Sequence, residues 1–110
     1  GKRLQLQAKE LYFVGQDGHL YQLNVDGQEA MDLSGCKVKQ YAADEGRVFY
    51  LTGGYQAGLY LGENGQTQKL LSQQLENMML DKNGTLAVQP KDACGYYYIY
   101  RQGELQRIVL

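Results

Sequence analysis

His19 is the single histidine of the chain and follows Asp17-Gly18 directly. A histidine that moves protons or holds a metal needs a carboxylate, a thiol or a second imidazole fixed beside it. Asp17 is near but has the character of a turn residue, so His19 is assigned to a hairpin turn rather than to chemistry. Cys36 and Cys94 stand 58 positions apart and form no C-x-x-C pair, which excludes a zinc ribbon or a thioredoxin-like redox site. Free thiols are the preferred reading, with a disulfide between them as the alternative.

The twelve carboxylates are scattered over turn-like and polar positions. Their closest pairs, Asp44-Glu45 and Asp26 with Glu29, are explained by turn preference alone. No D-x-D-x-D-G calcium loop occurs, and Gly53-Gly54 leads into no helix with a Lys or Ser that would cradle phosphate. Asn83-Gly84-Thr85 satisfies the glycosylation sequon, yet it also makes an Asn-Gly hairpin turn, and the turn is the preferred assignment. No acid, base and nucleophile converge in any segment, so neither an enzyme nor a metal or other cofactor is expected.

Tyr96-Tyr97-Tyr98-Ile99-Tyr100 is the most unusual stretch. Strand alternation puts Tyr96, Tyr98 and Tyr100 on one face and Tyr97 with Ile99 on the other. A row of phenols, apolar in body and polar at the tip, suits a protein interface or a carbohydrate contact, and equally suits packing between sheets. Tyr55, in the longer loop from Thr52 to Gly58, joins them as the candidate partner-facing set.

These side chains must be positioned by short strands. The 110 residues allow one domain, and 14 Gly, 10 Tyr, no Trp and a single Pro favour strands joined by glycine turns over a helical bundle. One stretch, Lys69 to Leu80, also fits a helix, because Leu71, Leu75, Met78 and Met79 fall near helical spacing. The net charge of −1 and the dispersal of Lys37, Lys39, Arg47, Lys69 and Arg101 among equal acid argue against a nucleic-acid partner. Apolar runs such as Leu11 to Val14 and Ile108 to Leu110 are too short for a membrane-spanning helix or a signal peptide.

Self-similarity organises the chain. Gly27, Gly65 and Gly103 recur at intervals of 38, each in a polar pair after an aromatic-rich run. Leu11 to Val14, Val48 to Leu51 and Leu86 to Gln89 align with one another, as do Leu20 to Leu23, Leu59 to Leu61 and Tyr97 to Tyr100. The expectation is an all-β protein of three four-stranded antiparallel meanders, approximately 3–35, 36–73 and 74–110. Strands are expected at 3–8, 10–15, 19–25, 28–34, 37–43, 47–52, 58–63, 66–72, 75–81, 85–90, 95–101 and 104–110. Four-stranded meanders recurring at about 40 residues mark β-propeller blades.

The run Leu11 to Leu33, with Tyr12-Phe13-Val14-Gly15 followed by Leu20-Tyr21-Gln22-Leu23-Asn24-Val25-Asp26-Gly27, resembles the YWTD-type propeller repeat of low-density-lipoprotein-receptor ectodomains. It is also similar to uncharacterised bacterial domains built from such repeats. The resemblance implies a binding or scaffold role, an extracellular or cell-surface setting, no catalytic residues and a six-bladed ring. Three blades cannot close around a packed centre, so the chain is expected to be half of a larger propeller or a protomer whose homodimer completes six blades. A protein interaction domain is the leading functional expectation. A lectin-like or small-ligand sensor using the aromatic loops is the alternative.

Overall fold

The computed structural model describes residues 10–24, 29–44, 46–63, 65–92 and 95–110. Their strands are β1 (Glu10–Val14), β2 (His19–Asn24), β3 (Glu29–Asp44), β4 (Arg47–Thr52), β5 (Gly58–Glu63), β6 (Gln66–Leu71), β7 (Leu75–Leu80), β8 (Leu86–Pro90), β9 (Tyr96–Arg101) and β10 (Glu104–Val109). A 3-10 turn at Gly54–Gln56 interrupts them. The expectation of an all-β, antiparallel protein holds. The strand expected at 3–8 lies outside the described residues.

All pairings are antiparallel between sequence neighbours, in one sheet of six strands, β1 to β6, and one of four, β7 to β10. Glycine turns make these short returns feasible. At the β9–β10 hairpin, Gln102 and Gly103 both take positive φ, 53° and 82°, as a two-residue turn matched to the twist of its strands requires. The helical alternative over Lys69 to Leu80 is not adopted. Those residues divide among β6, a short connection at 72–74 and β7, where Leu75 and Met78 are buried and Met79 points outward with 70% of its surface exposed.

One expectation needs correction. Strands at 28–34 and 37–43 are not separate, because β3 runs unbroken over 16 residues and carries the 35/36 unit boundary inside it. The early part of β3 pairs with β2 and the later part with β4. Within the β2–β3 pairing the register jumps, with His19 opposite Lys37 but Tyr21 opposite Asp32. Ser34 Oγ holds this bulge, accepting from Leu20 N at 2.9 Å and donating to Cys36 O at 2.6 Å. The hydroxyl satisfies backbone groups that ladder bonding leaves free, so the strand continues through the bend.

The bend folds the six-stranded sheet onto itself. Leu20 of β2 packs with Val48 and Tyr50 of β4, flanked by Tyr12, Leu33, Val38 and Tyr60. Burial pushes the Tyr50 hydroxyl up to about 12, and its ring stacks on Tyr60 at 5.1 Å. On the opposite side of β4 and β5, Phe49, Leu51, Leu59 and Leu61 pack against Leu75, Met78, Leu86, Val88 and Tyr100 of the four-stranded sheet. Phe49 meets Tyr100 edge to face at 5.6 Å. Polar bonds cross the same junction: Lys39 Nζ donates to Leu75 O at 2.7 Å and Arg47 Nη2 to Gly84 O at 3.0 Å.

Among the described residues, no helix is long and apolar enough to cross a membrane.

Candidate functional site

Two groups of side chains come together, and one of them was not legible beforehand. At the β2–β3 corner, His19 Nδ1 donates to Asp32 Oδ2 at 2.8 Å, the carboxylate acting as acceptor. Asp17 closes the turn: its Oδ1 accepts from His19 N at 3.0 Å and its Oδ2 from the Tyr21 hydroxyl at 2.7 Å. Asp32 also accepts from Gly35 N at 3.0 Å, so the carboxylate braces the bulge. The Asp32 hydrogen bond raises the His19 pKa above its ordinary value, and that same bond holds Asp32 below the usual carboxylate range. The His19 and Tyr21 donors likewise hold Asp17 low.

His19 was expected to serve only as a turn residue, and the turn is present. What alternation could not show is Asp32, thirteen positions on, which the register of β3 places opposite Tyr21. Cys36 is a free, half-buried thiol, and burial pushes its pKa up, away from a reactive thiolate. Cys94 lies outside the described residues. No group of three or more His, Cys, Asp or Glu able to hold a metal occurs among the described residues.

The second group lies where the two sheets meet. The tyrosine row is divided by burial. Tyr100 is 7% exposed and belongs to the core between the sheets. Tyr98 is half-buried, with its hydroxyl donating to Gln73 Oε1 at 2.8 Å, and burial raises its pKa. Tyr96 packs edge-on against Tyr98 at 5.7 Å, lies 5.5 Å beneath the Arg107 guanidinium and receives Gln73 Nε2 at 3.4 Å. Tyr55 sits fully exposed in the 3-10 turn. Gln74 Nε2 donates to Gly54 O of that turn at 3.4 Å, so the Gln73-Gln74 connection touches both the Tyr55 turn and the Tyr96–Tyr98 pair. Thr52 donates to the Gln56 carbonyl and Tyr60 reaches it at 3.1 Å, which holds the turn in place.

A further surface was not anticipated. On the side of the four-stranded sheet away from the core, Met79 aligns with Ala87 and Ile99, and Tyr97 with Ile108. An open cavity of about 540 Å³ lies against this side, lined by Met79, Ala87, Gln89, Tyr97 and Leu110 among others. Ile108 is half-buried, whereas Met79 and Leu110 are exposed. The signal that could have found it is strand alternation, which sets Tyr97 and Ile99 on the face opposite Tyr96, Tyr98 and Tyr100.

No protein-family model, curated protein or solved structure matches this chain. Its class is therefore set by its own geometry: an all-β protein of two antiparallel meander sheets packed face to face.

Proposed function

We propose that the chain is a non-catalytic, propeller-like interaction module of three four-stranded units, at approximately 3–35, 36–73 and 74–110, which works through protein–protein contact and self-assembly. The kinship with YWTD-type repeats is part of the same proposal. A one-residue bulge near the start of both the second and the third unit supports it. Lys39 of β3 and Glu76 of β7 are each left unpaired by a one-residue bulge. Gln40 and Met78, 38 positions apart, are joined by hydrogen bonds across neighbouring sheets. The radius of gyration, 14.8 Å, exceeds the about 13 Å of a compact domain this long, in keeping with an open arc. In the self-assembling form, two arcs complete six blades.

The observation that carries the reading is the apolar outer face of the four-stranded sheet, where Met79 is 70% exposed beside an open groove. Binding of the dye bis-ANS by dilute protein tests it. Strong fluorescence that falls sharply in Met79→Arg is expected; a wild-type chain that binds no dye overturns the reading.

A lectin-like or small-ligand sensor is the second reading, favoured by the bare Tyr55 ring at a braced turn beside Tyr96 and Tyr98. Glycan-array binding abolished by Tyr55→Ala would establish it.

A further inference from the structure

We infer that the outer face of the four-stranded sheet receives the outer face of β1 and β2 from a second copy of this chain, head to tail. The inference rests on the interaction-module reading and names both surfaces of the contact. Its basis is a contact that already exists within the molecule. Phe49, Leu51, Leu59 and Leu61 form the side of β4 and β5 that the four-stranded sheet covers. Adding 38 to each number gives Ala87, Gln89, Tyr97 and Ile99, which lie on the uncovered side of the four-stranded sheet. The covering residues Leu86, Val88, Tyr98 and Tyr100 have counterparts too. In the aligned first unit these are Leu11, Phe13, Tyr21 and Leu23, which share the side of β1 and β2 opposite the Tyr12–Leu20 cluster.

The counterpart face is suited to the task. Leu11 and Phe13 are exposed, while Phe13 stacks on Tyr21 at 5.5 Å, which presents a flat aromatic pair already ordered before contact. Among the described residues, one end of the molecule thus carries the covering surface without a surface to cover, and the other carries the covered surface without a covering one. A second copy supplies both missing halves at once. The facing rows Met79, Ala87, Ile99 and Asn77, Gln89, together with Tyr97 and Ile108, hold no charge that burial would strand. Because the two surfaces differ, the contact is heterologous, and a pair of copies closes only when each uses both ends.

The experiment uses sedimentation velocity on the wild-type chain, Phe13→Arg, Met79→Arg and an equimolar mixture of the two variants, with circular dichroism to confirm folding. A concentration-dependent two-copy species is expected for wild type. Each variant alone loses it, with affinity falling about a hundredfold or more, since burying one guanidinium without a partner is strongly unfavourable. The mixture regains a two-copy species through one intact contact, more weakly than wild type, because Phe13→Arg retains a sound four-stranded face and Met79→Arg a sound β1–β2 face. Either variant associating like wild type, or a mixture that stays monomeric, overturns the head-to-tail pairing. A wild-type chain that binds bis-ANS but stays monomeric up to ~1 mM, weaker than any specific pairing of this kind, also overturns it while leaving the interaction-module reading intact. If Phe13→Arg fails to fold, Phe13→Cys and Ala87→Cys chains, each with Cys36→Ser and Cys94→Ser, are mixed and oxidised. A disulfide heterodimer exceeding both homodimers supports the pairing, and its absence overturns it.

Discussion

The side-chain amide of Gln40 on β3 bonds both backbone groups of Met78 on β7: Nε2 donates to Met78 O at 2.8 Å, and Oε1 accepts from Met78 N at 3.2 Å. A glutamine thus takes the part of one more ladder residue between two sheets that share no strand. The Met78 N–H has a second acceptor in Asn77 Oδ1 at 2.8 Å, so the carbonyl depends most on Gln40.

Gln40→Ala is therefore expected to reduce stability by about 1–2 kcal/mol, since it leaves a partly buried backbone carbonyl without a donor. Urea denaturation followed by circular dichroism measures it. An unchanged midpoint would show that the amide adds nothing to the junction.

Phe49→Ala should be harsher, at about 3–5 kcal/mol, because a fully buried ring leaves a cavity in the face-to-face core. Phe49 belongs to one sheet and its edge-to-face partner Tyr100 to the other. Both sheets are expected to melt in one transition in wild type, with far-ultraviolet circular dichroism and tyrosine fluorescence coinciding. Two separated transitions in the wild-type chain would contradict the shared core.

Gly58→Ala tests a close approach rather than a cavity. A Cβ at Gly58 would collide with the Leu71 carbonyl oxygen, a backbone atom that cannot swing aside. The β5–β6 register already shifts beside it, between Leu59 and Tyr60. A loss of about 1–3 kcal/mol is expected from forcing the strands apart, read from thermal melting. Gly65→Ala, where nothing lies within 4 Å but φ is +77°, separates backbone strain from this steric effect.

The Asp32–His19 pair predicts a pH dependence at the β2–β3 corner. His19 has a raised pKa through its bond to Asp32, so its contribution is complete below the ordinary imidazole value of 6.5 and fades as pH rises through the raised one. Asp32 has a lowered pKa, so its share is complete above 3.8 and fades as pH falls through the lowered one. Nuclear magnetic resonance titration of the His19 ring should give an apparent pKa above 6.5, and Asp32→Asn should lower it. A ring that titrates identically in both chains would remove the pair.

Strand placement was largely local chemistry and could be read without coordinates. The continuous apolar run Val48 to Leu51, with glycine-bearing turns near either end, is enough to place β4, because a short strand covered on both faces carries apolar side chains at every position. Strand alternation separated Tyr97 from Tyr96 and Tyr98. It could not tell which side would be covered. Tyr100 lost its exposure to Phe49, and Met79 kept its own, only when the four-stranded sheet settled on β4 and β5. The unbroken course of β3 was equally hidden, since it depends on Ser34 satisfying Leu20 and Cys36 at a bend where the ladder changes partner. Asp32 met His19 for the same reason. Hydrogen bonds between residues near in sequence follow from residue type, whereas contacts across a bend or between sheets arise from how the layers dock, and no local pattern encodes that docking.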